Sequence, residues 1–151
     1  MRLNRDSEKI SKKMRWHELN DIKISENFNL KEFECKSTGQ VKIHEKLLEL
    51  LQELRDTLDK PVIINSGYRS KEHNEKVGGA KKSQHLQGTA VDISLRNLDY
   101  SAKDLAIFVK NSAEYTGVGA QNLGLGYADN FLHVDVRGLI SQETAPVEWN
   151  Y

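Results

Sequence analysis

The sequence predicts a single domain of mixed helices and strands. Its 151 residues suffice for one domain with one core. Hydrophobic residues make up 38% and charged residues 29%, a balance typical of chains that fold on their own. Leucines at helical spacing and two stretches of alternating aliphatic and polar residues supply both kinds of secondary structure.

We divide the chain into three parts, although no repeat or linker separates them. Residues 1–24 are polar and weakly periodic, and are predicted to form an N-terminal arm with one helical turn around Trp16 and Leu19. Residues 25–138 form the domain proper. Residues 139–151 are predicted to be a C-terminal tail that can pack back on the domain.

The first half of the domain is predicted to hold a core helix and a buried strand. Residues 44–59 carry leucines at helical spacing, and Pro61 stops the helix shortly after. The inward leucines are predicted to be Leu47, Leu48, Leu51, Leu54 and Leu58. Residues 61–65 are a β-branched run that predicts a buried strand, and this strand leads into the turn 66–70 with Arg69 at its exit.

Two further helices are predicted in the second half. Residues 71–77 have a helical pattern, and the glycine pair 78–79 closes it before a polar loop. Residues 101–113 form a longer helix, which Ser101 opens with Asp104 three residues on as a capping box. Its inward residues are predicted to be Leu105, Phe108 and Val109.

Two strands are predicted from alternation. In residues 89–95 the aliphatic side chains share one face and Asp92 lies on the other. In residues 131–136 the aliphatic side chains again share one face, and His133 and Asp135 lie on the other. Each strand therefore has an aliphatic face and a face that carries groups able to bind metal.

Charge and composition argue against several partners. The 22 basic and 22 acidic residues cancel, so nucleic acid is not expected as a partner. No run of about 20 apolar residues predicts a membrane span, and no apolar stretch follows the basic N-terminus as in a signal peptide. Cys35 is the only cysteine, so the fold does not depend on a disulfide. We expect a monomer that is made in the cytoplasm without a signal peptide.

Two histidines and one aspartate form a candidate metal site. Considered singly, His85 is more often a loop histidine and His133 a satisfied histidine under the sheet. Asp92 is more often half-exposed, or paired with Arg69 or Lys82. Considered together, two imidazoles and one carboxylate make the three-ligand set of catalytic zinc sites, whose fourth position is kept for water. A structural zinc would want four protein ligands, usually with several cysteines.

Three motifs follow one another in the domain. They are Ser-Gly-Tyr-Arg-Ser at 66–70, Ser-Gln-His-Leu-Gln-Gly-Thr-Ala-Val-Asp at 83–92, and Phe-Leu-His-Val-Asp at 131–135. In this order they resemble the zinc D-Ala-D-Ala carboxypeptidase family, peptidase family M15, and its Hedgehog-like relatives, over about residues 25–138. The resemblance implies an α+β fold in which an antiparallel sheet, flanked by helices, cradles zinc. It also implies cleavage of peptide bonds in peptidoglycan stem peptides, by a DD-carboxypeptidase or an endopeptidase of the endolysin type.

The resemblance also implies roles for single residues. The implied zinc ligands are His85, Asp92 and His133. Arg69 is similar to the active-site arginine of the family, which could steady an oxyanion or clamp a substrate carboxylate, with a structural salt bridge as the alternative. Tyr68 and Ser83 are implied to contact substrate, and an ordinary turn serine is the alternative for Ser83.

One position departs from the family pattern. Several members carry Glu or Asp three residues before the last histidine, as the base for the attacking water, and the residue here is Asn130. An amide cannot accept that proton. Asp135 lies on the same strand face as His133, about 7 Å along the strand, so we predict it to be the base or a partner that supports the histidine. Asp129 is the other candidate for the base.

Three functions follow from these observations. The leading one is a zinc-dependent cell-wall peptidase, and the missing export signal suggests a phage or prophage enzyme that is released to act on the wall. The second is a non-catalytic zinc-binding or cell-wall-binding module on the same fold, which Asn130 favours. The third is a cytoplasmic dipeptidase acting on free D-Ala-D-Ala, which the missing signal favours and the missing acidic residue disfavours.

Overall fold

The computed structural model describes residues 12–13, 15–140 and 144–151. Its principal helices are α1 (Glu45–Leu58), α2 (Lys71–Lys76) and α3 (Ala102–Thr116). Its strands are β1 (Ile64–Ser66), β2 (Ala90–Ser94), β3 (Gly124–Tyr127), β4 (Phe131–Asp135) and β5 (Val147–Asn150). Residues 15–19 are also helical, as predicted for the N-terminal arm. No helix in the described ranges is long and apolar enough to cross a membrane.

The strands form one mixed sheet in the order β1-β2-β4-β3-β5. The first three pairings are antiparallel, which confirms the predicted antiparallel sheet in its centre. The last pairing, between β3 and β5, is parallel. The segment predicted as a tail therefore supplies an edge strand, and the sheet extends past the predicted domain boundary at residue 138.

The core lies between the helices and the aliphatic face of the sheet. Helices α1 and α3 pack against each other, and α3 also packs on β3 and β4. The most deeply buried side chains come from both layers: Leu47, Leu50, Leu51, Leu54, Leu105, Val91, Ile93, Leu132 and Val134. Burying one such side chain contributes on the order of 1.5–3 kcal/mol. Because α3 packs on the aliphatic face, the other face of β2 and β4 is available to build a site.

The predicted core helices are confirmed with small changes. In α3, Ser101 and Asp104 form the predicted capping box. In α1, Leu50 is buried although the prediction omitted it, and Leu48 is only partly buried. Asp59 caps the end of the helix with a left-handed backbone, φ of 51°.

The prediction of a buried strand over residues 61–65 is wrong in its bounds and in its burial. Strand β1 begins three residues later and lies at the edge of the sheet, where it pairs only with β2. Ile63 is 44% exposed, whereas Val62 is buried. A β-branched composition indicates a strand, but it does not distinguish an edge strand from a central one.

Candidate metal centre

The three predicted ligands meet on the face of the sheet that the helices leave open. Asp92 on β2 and His133 on β4 are directly opposite each other in the antiparallel register. His85 comes from the 3-10 helix Gln84–Gln87, just before β2. Their potential ligand atoms lie within 4.8 Å of one another, and all three residues are buried.

A glycine turn brings His85 to this face. Gly88 ends the 3-10 helix in the left-handed conformation, with φ of 71° and ψ of 23°. A Cβ atom there would lie 2.6 Å from the Cβ of Lys42, so both the backbone conformation and the space require glycine. At the other end of the 3-10 helix, the Ser83 hydroxyl accepts a hydrogen bond from the backbone N–H of His85 at 3.2 Å.

The turn after β1 sets the orientation of the His85 ring. Its Nδ1 lies 2.7 Å from the carbonyl oxygen of Gly67. Because a carbonyl oxygen only accepts, Nδ1 carries the proton and donates it. The Nε2 atom of His85 is left with a lone pair, and it faces Asp92 Oδ1 at 3.2 Å.

The His133 ring is held from its other side. Its Nε2 lies 2.8 Å from Asp135 Oδ2, and its Nδ1 lies 3.0 Å from Asp92 Oδ1. Arg137 in turn donates to both oxygens of Asp135, at 2.9 and 2.8 Å. Asp135 is fully buried behind the ring and does not face the other ligands. Its position fits the predicted supporting role and does not fit that of a base at the metal.

The donor set fits a zinc ion. When both imidazoles are neutral, the two nitrogens that face Asp92 carry lone pairs, because their N–H groups are used on Gly67 and Asp135. Three acceptors then converge in a buried space, an arrangement that requires an added proton or a cation. Two imidazole nitrogens and one carboxylate oxygen are ligands that suit Zn²⁺.

The electrostatics of the cluster also favour a cation. Burial opposes ionisation of Asp92, but the adjacent His133 and His85, when they are protonated, outweigh it and hold the pKa of that carboxyl well below its ordinary value. Burial likewise opposes ionisation of Asp135, but His133 and Arg137 lower its pKa to about 2. For His133, burial lowers the pKa, and Asp135 and Asp92 together raise it above the ordinary value. Both carboxylates are therefore ionised at neutral pH.

Arg69 lies beside the metal centre and is fixed by several partners. Its Nη2 donates to Asp92 Oδ2 at 3.3 Å, and the two groups form an ion pair. Its Nε donates to the Ser66 hydroxyl at 3.1 Å and its Nη1 to Asn74 Oδ1 at 3.3 Å. The predicted alternative of a salt bridge with Asp92 is thus present, and the guanidinium also lines the cleft over the centre.

A cleft of about 620 Å³ opens over the three ligands. Its walls carry cationic side chains, Arg69, Lys82 and Arg137, and aromatic side chains, Phe131, Trp149 and Tyr151. Among the described residues that line it, Asp92 is the only carboxylate. The cleft therefore offers positive charge and aromatic surface to a ligand around the metal centre.

The other predicted site residues are divided between this cleft and the surrounding surface. Ser83 lines the cleft as well as capping the 3-10 helix. Tyr68 is not among the residues that line it, and its ring lies 5.4 Å from the Lys42 ammonium; its contact with substrate stays a prediction. Asp129 and Asn130 are exposed and line a different cavity. The side chain of Asp129 thus lies away from the ligands.

The sequence reasoning missed Arg137, Trp149 and Tyr151 as residues of the cleft. Trp149 and Tyr151 belong to the segment that was predicted only as a tail. A signal was present, because Val147, Trp149 and Tyr151 alternate with Glu148 and Asn150 in the pattern of a half-buried strand.

Comparison with known proteins identifies a family and two similar proteins. Residues 25–135 match the sequence model of the family described as Peptidase M15. The chain is 36% identical over 89 residues to the zinc D-Ala-D-Ala carboxypeptidase of Streptomyces albus G, a match that covers 58% of this chain and 32% of that relative. The chain thus spans about a third of the length of this curated relative. The crystal structure of the L-Ala D-Glu endopeptidase ChiX of Serratia marcescens is similar with a TM-score of 0.48 and 18% identity, over 62% of this chain and 80% of that one.

Proposed function

The chain belongs to the peptidase M15 family, and on this premise we propose that it is a zinc-dependent peptidase that cleaves peptide bonds in peptidoglycan stem peptides. One observation carries the proposal. Three acceptor atoms, on His85, Asp92 and His133, converge in a buried space at the floor of an open cleft. A buried cluster in which three acceptor atoms face one another has no structural benefit of its own, and it suits a catalytic cation.

The side chains around the cluster hold the ligands in place. A zinc ion held by His85, Asp92 and His133 would act as a Lewis acid, which would polarise a peptide carbonyl and lower the pKa of a water molecule. Gly67 and Asp135 each take the outer N–H of one imidazole, which fixes the ring orientation and leaves the inner nitrogen as the ligand. Three protein ligands leave coordination positions open toward the cleft.

Arg69 is suited to bind the reacting group or a carboxylate of the substrate. Its contacts with Ser66 and Asn74 hold the plane of the guanidinium, so the group is preorganised at the cleft. A preorganised fork stabilises an oxyanion or a carboxylate without reorganising during the reaction. Both roles suit a peptidase, and substrates that lack a terminal carboxylate separate them.

We propose that neither Asp135 nor Asp129 is the proton acceptor. Asp135 is buried behind His133 and bound by Arg137, and Asp129 lies in another cavity. We therefore propose that Asp135 is a positioning residue. We also propose that Asn130 takes no part in proton transfer. The only cleft carboxylate in the described part of the chain is the ligand Asp92.

The proposal is tested by metal analysis together with digestion of purified peptidoglycan. We expect about one zinc per chain and new peptide termini in the digested wall. Release of free D-alanine identifies a carboxypeptidase, and new internal amino termini identify an endopeptidase. Cleavage of the free dipeptide D-Ala-D-Ala alone would favour the dipeptidase instead.

A non-catalytic module is the second candidate, and the absence of a further carboxylate among the described cleft residues favours it. Such a module would bind zinc and sediment with peptidoglycan, but would release no termini from any wall substrate. A zinc-loaded protein with that behaviour would refute the peptidase.

We further propose that the protein acts as a monomer and reaches the wall after release from the cell that makes it, as a phage or prophage product. Light scattering tests the first statement. Addition of the protein to the outside of intact cells, with turbidity as the readout, tests whether it can act on an accessible wall.

A further inference from the structure

One row of residues crosses the whole sheet on the face that carries the metal centre. The strand register pairs Ser66 with Asp92 and Asp92 with His133. It then pairs His133 with Gly126, and Gly126 with Trp149. Strand β5 therefore places Trp149 in the same row as two of the ligands, with a glycine between them.

Gly126 leaves the space through which Trp149 reaches the ligand. A Cβ atom on Gly126 would lie 2.7–2.8 Å from three atoms of the indole. The indole thus occupies the space that a side chain at position 126 would fill. Its ring centroid lies 5.1 Å from that of His133, at an interplanar angle of 51°.

A second glycine on the same strand accommodates the support of the ligand. A Cβ atom on Gly124 would lie 2.5–2.6 Å from the carboxylate of Asp135 and the Nε of Arg137. The guanidinium of Arg137 lies over the Trp149 ring, 5.3 Å from its centroid. Trp149 therefore covers both the His133 ring and the ion pair that holds it.

The same indole belongs to an aromatic wall of the cleft. The ring of Tyr151 lies 6.1 Å from Trp149 and 5.1 Å from Phe131, centroid to centroid. All three line the cleft. Both Trp149 and Tyr151 lie outside residues 25–135, which match the family.

We propose that β5 is part of the catalytic centre, with Trp149 as a positioning residue for His133 and with Trp149 and Tyr151 as a wall that contacts an apolar group of the substrate. The indole limits rotation of the imidazole and keeps water from its hydrogen bond with Asp135. The positioning role requires only that the protein binds a metal ion. The substrate contact rests on the proposed peptidase function.

The positioning role is tested with the fluorescence of the two tryptophans, Trp16 and Trp149. Trp16→Phe leaves Trp149 as the only indole, and Trp149→Phe leaves Trp16 as the only one. Trp16 lies on the N-terminal helical segment and packs against Gly39. Co²⁺ is titrated into each metal-free variant, because this ion quenches nearby indoles. We expect strong quenching of Trp149 that saturates near one equivalent, and much weaker quenching of Trp16. If Co²⁺ binds but quenches both tryptophans equally, or does not quench Trp149, the positioning role is wrong. This result does not depend on whether the protein cleaves peptides.

Substitutions then measure what the contact does. Trp149→Ala is expected to lower zinc affinity or kcat/KM by about 10- to 100-fold, the range seen when support of a metal ligand is lost. Trp149→Phe keeps a ring beside His133 and should retain most of both. Gly126→Ala should act like Trp149→Ala, because the added Cβ displaces the indole while every aromatic side chain remains. Thermal unfolding shows whether the Trp149→Ala and Gly126→Ala proteins are folded. If either folded variant has the zinc affinity and kcat/KM of the parent protein, the proposal is wrong.

Tyr151→Ala tests the substrate wall, because the Tyr151 ring contacts Trp149 and Phe131, whereas it is the Trp149 ring that contacts His133. We expect zinc affinity to be unchanged and KM to rise by about 3- to 10-fold, with Tyr151→Phe close to the parent. An unchanged KM in Tyr151→Ala would remove the wall from substrate binding. If the parent protein cleaves no peptide, the peptidase function fails, and the zinc affinities of Trp149→Ala and Gly126→Ala still decide the positioning role.

Discussion

The two faces of strands β2 and β4 are equally buried but are held by opposite means. On one face, Ile93 and Leu132 are 0% exposed and pack against the helices. On the other, Asp92 and His133 are 7% and 4% exposed and are held by hydrogen bonds and charge. Burial stabilises the first face and costs free energy on the second unless every polar group is paired. The apolar face therefore stabilises the fold, whereas the polar face is suited to binding a cation.

Removing a ligand should have the largest effect and should confine it to the polar face. His133→Ala leaves two ligands, which cannot hold zinc well, so we expect zinc content and cleavage to fall below detection. The metal-free variant should still fold, because the aliphatic face is intact. Metal analysis and thermal unfolding of the metal-free proteins check both statements. Full zinc occupancy in this variant would remove His133 from the centre.

The neighbouring substitution should have the reverse effect. Leu132→Ala removes a fully buried side chain from the opposite face of the same strand, and we expect the free energy of unfolding to fall by about 2–5 kcal/mol. Zinc content per folded chain should change little. Denaturant unfolding measures the loss in stability. If Leu132→Ala instead loses zinc while it remains stable, the two faces are not separate in function.

The next change keeps the charge and alters its shape. Arg69→Lys should retain zinc and fold but lower kcat/KM by about 10²-fold or more, because an ammonium does not reproduce the planar fork. Peptide cleavage, assayed beside zinc content, gives the result. Loss of the fold together with the zinc would show that the ion pair with Asp92 is structural.

The smallest expected effect lies behind the ligand. Asp135→Asn keeps the size of the side chain but weakens its bond with His133 and leaves Arg137 without its carboxylate, so zinc affinity should fall by about 10- to 100-fold. Cleavage at saturating zinc should largely recover. This prediction replaces the first assignment of Asp135 as a base. If Asp135→Asn binds zinc as tightly as the parent protein but cleaves no peptide, Asp135 is the base after all.

Much of the centre was predictable because its information is local. The alternation in β2 and β4 gives the face of Asp92 and His133, and the three motifs identify the ligands that the structure brings together. Alternation does not say which imidazole nitrogen faces the metal. That choice depends on the rotamer of His133, and it decides that Asp135 supports the ring from behind.

The sequence analysis did not predict strands β3 and β5, for a different reason in each case. In β3, two of the four residues are glycines, so one face has no side chains and no alternation can be read. In β5, the pattern is present but short, and its partner is the strand that was missed. Without β3 there was no place in the sheet for β5, and the aromatic wall could not be foreseen.

The glycines of β3 also have a consequence for how the sheet assembles. Shifting a strand by one residue turns every side chain to the opposite face. A slipped β3 would direct Leu125 and Tyr127 into the space of Trp149 and of the Asp135–Arg137 pair, and would take the buried Leu125 out of the core. The alternation of empty and filled positions thus excludes the out-of-register pairing. The same two glycines that make room for the metal centre determine how β3 aligns with its neighbours.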